Sequence, residues 1–202
     1  MRHTSTIIFM FFALILGTPT LFAQDVPAEA KATLKAMGYD FSVEAFKKAV
    51  TTGNHKAATL FLQGGMSVDA KDDTTWTVLM EAAKWDRADI AKLLIINKVD
   101  VNVTTKAGGR TALMIAAWWG RPEVATLLIK AKADANAKDA FGRTPLLDAG
   151  GGLALRLASN KTQRSFKLNL TADLDAKRKI ASLLLDHGAK VNAKDDFGDT
   201  VL

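Results

Sequence analysis

The chain has 202 residues, 49% hydrophobic and 24% charged, which is the balance of a folded protein and excludes a disordered tail. It contains no cysteine, so no disulfide staples it and a continuous apolar core has to hold it. The net charge of +6 favours anionic partners, among them acidic proteins, membrane surfaces and polyanions, and selects none of these.

The first element is predicted to be a leader. Arg2 and His3 precede a ten-residue apolar run, Ile7 to Leu16, which Gly17 and Pro19 break ahead of a cleavage point after Ala23. That run would span about 15 Å as a helix, against a hydrocarbon core of about 30 Å, so it is read as a secretory signal and not as an anchor. No later stretch is apolar enough to cross a bilayer, so no transmembrane span is expected once the leader is removed. Loss of residues 1–23 takes Arg2 from the 27 basic side chains, leaving 26 against 21 acidic ones, or +5. Residues 24–40 then form a linker and a short helix, about 30 to 37, expected to cover the open end of the region that begins at residue 41.

From residue 41 onward the chain keeps time. Thr77-Val78-Leu79, Thr111-Ala112-Leu113, Thr144-Pro145-Leu146 and Thr200-Val201-Leu202 are spaced 34, 33 and 56 residues apart. A second marker keeps the same rhythm: Val68-Asp69-Ala70, Val101-Asn102-Val103, Ala135-Asn136-Ala137 and Val191-Asn192-Ala193. A stride of about 33 residues predicts stacked helical pairs, none of which can bury its apolar face alone. Within the unit beginning near Asp72, Thr77 is placed to cap a helix of about 77–85, whose inner side carries Leu79, Ala82 and Ala83. A second helix, about 88–97, carries Ile90, Leu93 and Leu94 on one stripe.

The next unit repeats this register with Thr111, Leu113, Ala116, Ala117, Gly120, Val124, Leu127 and Leu128. The first unit is degenerate, with Phe46, Ala49, Gly53, Leu60, Phe61, Leu62 and Gly65 in matching places and no threonine cap. In the fourth unit, about Gly150 to Asp175 is read as an insertion between the two helices. A fifth unit is only begun, and the sequence given is expected to stop short of a closing cap.

These residues resemble the ankyrin repeat family. Arg143-Thr144-Pro145-Leu146, Ala116-Ala117-Trp118-Trp119-Gly120 and Asp186-His187-Gly188-Ala189-Lys190-Val191-Asn192-Ala193 carry the likeness, which extends over residues 41–202. The resemblance implies an all-α solenoid of stacked helix-turn-helix units joined by short hairpin loops: about four repeats plus the start of a fifth. Three positions depart from the pattern. Asp86, Lys98 and Lys132 stand where the family has glycine, and the two lysine caps should be strained or differently shaped, since a left-handed end is costlier for lysine than for glycine.

Reaction chemistry finds little support. His3, His55 and His187 are isolated, so no metal site is expected. With no cysteine and two histidines after the leader, neither is a nucleophilic triad. Gly150-Gly151-Gly152 lacks the surroundings of a phosphate loop and reads as a helix break. Asp72-Asp73 and Asp195-Asp196 read as turn starts. No catalytic centre and no cofactor are predicted.

The resemblance instead implies a recognition face made from a concave groove and the turn tips. Carried over residue by residue, the groove is lined by Met80, Lys84, Trp85, Met114, Trp118, Trp119 and Leu147. The tips supply Trp76, Arg110, Phe141 and Arg143. Large aromatics and arginine are the residues on which binding hot spots rely. Of the tryptophans, Trp76 and Trp118 are expected to have the fewest internal neighbours, while Trp85 and Trp119 could equally be packing between repeats.

The sequence is therefore read as a non-enzymatic protein-interaction module of bacterial type, exported and acting in the periplasm, with an extracellular place as the alternative. A protein partner is expected and nucleic acid is not. Lys161, Arg164 and Lys167 in the insertion offer a contact to the envelope surface. The rival readings are a secreted effector or inhibitor of a host or competitor protein, and an enzyme with its site at 150–175.

Overall fold

Thr77, Thr111 and Thr144 are buried, and each hydroxyl accepts the backbone N–H three residues on, at 3.1, 3.3 and 3.3 Å. Each bond satisfies a donor that the first helical turn leaves without an intrahelical partner, and so starts a helix at a fixed place in the repeat. The first unit has its own cap: Ser42 accepts from the Ala45 N–H at 3.2 Å.

The computed structural model describes residues 25–150 and 170–200, and the helices run in pairs. Helix α1 (Asp25–Ala36) precedes the pair α2 (Val43–Thr51) and α3 (His55–Gln63). The pairs α4 (Val78–Lys84) with α5 (Ala88–Ile96), and α6 (Ala112–Trp118) with α7 (Pro122–Lys130), come next. The chain is helical again over 145–150, and α8 (Leu170–Asp186) closes the row. Residues 1–23, expected to be a leader, the residues Lys161, Arg164 and Lys167 of the expected insertion, and the final pair Val201 and Leu202 lie outside the described residues.

Packing is between neighbours, as a one-dimensional stack requires. First helices touch first helices (α2 on α4, α4 on α6), and second helices do likewise (α3 on α5, α5 on α7). Helix α1 packs on α3 and covers the N-terminal end, while α8 packs on α7 and α6. Ala82, Ala83, Ala116 and Ala117 have no exposed surface, consistent with small side chains letting the helices approach closely. One apolar core runs from Leu34 through Phe61, Leu94 and Leu128 to Leu184. Each fully buried aliphatic or phenylalanine side chain in it contributes about 2 kcal/mol.

Two hydrogen-bonded rows tie the units along the stack. At one edge Asp69 accepts from the Asp100 N–H (2.8 Å), Asn102 from Asp134 (2.9 Å) and Asn136 from Lys190 (2.9 Å). At the tips Lys106 donates to the Thr74 carbonyl (3.1 Å), Ala140 to Gly108 (3.0 Å) and Asp196 to Phe141 (3.0 Å). Both rows continue across the insertion, so the 56-residue step keeps the geometry of an ordinary one. Helix α8 differs from its counterparts at its start. Lys177 stands at the register of Arg87 and Arg121, which precede α5 and α7, yet α8 begins at Leu170, inside the stretch read as an insertion.

Asp86, Lys98 and Lys132 adopt the left-handed conformation, with φ of 57°, 63° and 70°. Gly53 and Gly120 share the Asp86 position, and Gly65 and Gly188 that of the two lysines, all with positive φ. The closing bonds match too: Val99 donates to Leu94, Ala133 to Leu128 and Ala189 to Leu184. Of the two outcomes expected for the lysine caps, Lys98 and Lys132 are strained and not reshaped.

Candidate functional site

The tips are set by turn chemistry. Asp72 accepts from the Thr74 and Trp76 N–H groups, Asp139 from Phe141 and Arg143, and Asp195 from Phe197 and Asp199. An aspartate bonding its own backbone two and four residues on folds each tip back to the next threonine cap. Gly142 is required where two tips meet. Its φ is +73°, and a Cβ there would come within 3.2 Å of the Asp196 nitrogen.

Tip and first helix together organise two aromatic groups. In the first, the Glu81 carboxylate accepts the indole N–H of Trp76 at 2.6 Å and of Trp85 at 2.9 Å, and the Thr51 hydroxyl at 2.9 Å. The Lys84 ammonium lies 5.4 Å from the Trp85 ring centre and 5.9 Å from that of Trp76. In the second, Trp118 is surrounded by cations: the guanidiniums of Arg143 at 5.2 Å and Arg110 at 5.5 Å, and the Lys177 ammonium at 5.9 Å. Both arginines bind the fully buried Asp148, Arg110 at 2.5 Å and Arg143 at 2.7 Å, and Arg143 also lies 3.6 Å from Asp139. Burial pushes the Asp148 carboxyl above the usual carboxylate range, against the pull of the two guanidiniums.

Three of the expected groove residues are not surface. Met80, Met114 and Leu147 are 1%, 0% and 6% exposed, each in the first turn after its threonine cap. Met80 folds back so that its sulfur accepts the Thr77 N–H at 3.4 Å, filling the space beneath the tip. These three belong to the core. The ranking of the tryptophans is also reversed. Trp76 and Trp118 are half-buried with internal partners, whereas Trp85 and Trp119 are 43% and 44% exposed. The Trp119 side chain has neither a ring partner nor a hydrogen bond among the described residues. Lys84, Arg110 and Arg143 are partly exposed beside these rings, and Phe141 is exposed at its tip.

Sequence reasoning passed over Phe197, which is 75% exposed and stacks on Phe141 with ring centres 6.5 Å apart. The signal was present, since Phe141-Gly142 and Phe197-Gly198 keep the same 56-residue step as the threonine triplets. Glu81 and Asp148 were missed as well: Trp76, Trp85 and Arg143 lie within five residues of them, and only Thr51 and Arg110 come from other units.

Among the described residues no group of His, Asp and Glu is placed to hold a metal, and no helix is long and apolar enough to cross a membrane. Capped helix pairs stacked in a row with outward-turned tips define a helical-repeat scaffold. A family profile for ankyrin repeats (3 copies) matches residues 27–105 and 46–139, together more than half of the chain. The protein belongs to the ankyrin repeat family, whose repeats generally mediate protein–protein interaction. No curated protein matches the chain.

Proposed function

We propose that this chain is a non-enzymatic adaptor that binds a partner protein across the first-helix face and tips of its middle units, through Trp85, Trp119, Lys84 and the arginine-flanked Trp118. One observation carries this reading. Two large indoles at equivalent positions of consecutive units are more than two-fifths exposed, whereas the neighbouring alanines and methionines are buried. Exposed rings held on rigid capped helices supply contact area at little entropic cost. We also propose that the chain is exported and works in the periplasm, on the strength of the charged start, apolar run and small-residue cleavage point of residues 1–23.

The test is cross-linking of the processed protein in its own envelope, comparing the native chain with Trp85→Ala/Trp119→Ala. The double variant should lose at least about tenfold of partner capture, the effect of removing one hot-spot cluster, and keep its helical circular dichroism. Equal loss of both signals assigns the indoles to stacking. Cleavage after Ala23 is read directly from the mass of the processed chain.

A further inference from the structure

Resting on that binding face, we infer that its partner is an acidic protein segment, one that sets carboxylates over the Trp118 cluster and an apolar side chain on Trp119.

Arg110 and Arg143 bring about ten N–H groups to one place, since each guanidinium carries five. The described acceptors for them are the two oxygens of Asp148, one of Asp139 at 3.6 Å and the Met114 carbonyl at 3.5 Å. Among the described residues, the buried Arg110 Nε has no hydrogen-bond partner. Among the described residues donors therefore outnumber acceptors, and the partly exposed guanidinium edges are chemically specific, because a planar guanidinium matches a carboxylate.

Charge points the same way. The partly exposed guanidiniums of Arg110 and Arg143 and the Lys84 ammonium one unit away lie beside this surface. The acids among them are already engaged: Asp148 is sealed from solvent, and Glu81 is occupied by two indoles and a threonine. A basic segment would meet like charge here, whereas an acidic one finds donors and two exposed rings.

The probes are three peptides of equal length, alternating leucine with glutamate, with lysine or with serine. They are titrated into the purified full-length chain, with binding read from tryptophan emission. The glutamate peptide should bind saturably, at least tenfold tighter than the other two, and weaken when salt is raised from 50 to about 300 mM, as exposed charge attraction must. Lys84→Glu should reduce its affinity and improve that of the lysine peptide, a reversal that a merely structural role would not give.

Equal or tighter binding of the serine or lysine peptide overturns the acidic assignment. If that binding is abolished in Trp119→Ala, the face itself stands. Binding of the glutamate peptide that neither Lys84→Glu nor Trp119→Ala alters overturns both, since the peptide then sits elsewhere. Absence of any saturable response overturns the acidic assignment too.

Discussion

Asp148 and Asp72 show how single carboxylates organise a repeat whose framework is otherwise apolar. Asp148 has no exposed side-chain surface and pairs with two guanidiniums drawn from successive tips. Asp148→Ala should cost about 3 kcal/mol in denaturant unfolding, the low end for breaking a buried pair, because the arginines keep some contact with water. Asp72 works nearer the surface. Burial pushes its carboxyl up, but bonds from Lys47 and Thr74 and from the Trp76 and Thr74 N–H groups hold it well below the usual carboxylate range. For Lys47, burial acts downward, and the bond and charge of Asp72 outweigh it, raising the ammonium above its ordinary value.

The signs give a plateau. The depressed Asp72 contributes stability that is fully present above about pH 4 and lost as pH falls towards its folded value. The raised Lys47 contributes below about pH 10.4 and loses its share as pH rises beyond that. The Tm difference between the native chain and Asp72→Asn should therefore be flat from about pH 5 to 10 and shrink in acid. A difference that persists unchanged at pH 2 would assign Asp72 to turn geometry alone.

At the scale of the element, the left-handed caps are where the chain accepts a cost. Lys98 and Lys132 occupy a conformation that disfavours any Cβ, and the hydrogen bonds around them match those around Gly188. Lys98→Gly and Lys132→Gly should each raise stability by about 0.5–1 kcal/mol, the strain relieved less the added unfolded-state entropy of glycine. A shift of the denaturant midpoint at constant m-value is the check. The threonine caps and turn aspartates were legible because their partners lie within four residues along the chain. Ser42 went unread as a cap because the first unit lacks the triplet. The insertion expected to run to about Asp175 ends earlier, since α8 begins at Leu170; glycine at 150–152 suggests a break, and nothing local marks where helix resumes.

At the scale of the whole molecule, the described units on either side of residues 151–169 stack on one another. Asn136 binds both the Lys190 N–H and the Gly188 carbonyl, and the Phe141 carbonyl receives the Asp196 N–H. Replacing residues 151–169 with a glycine-serine linker should therefore leave the cooperativity of thermal unfolding intact. A second, earlier transition would show that the final unit depends on those residues.

The repeat, its phase and its caps could be read along the chain, because helix starts, tight turns and apolar stripes are written in contacts a few residues apart. The same reading narrowed the recognition face to the residues after each alanine pair and at each tip. Which of these turn outward was settled by packing in three dimensions. Met80, Met114 and Leu147 sank into the core, and Trp76 and Trp118 acquired partners from their own and other units, leaving Trp85 and Trp119 outward. Exposure of a side chain depends on its neighbours across the stack, and no local pattern encodes them.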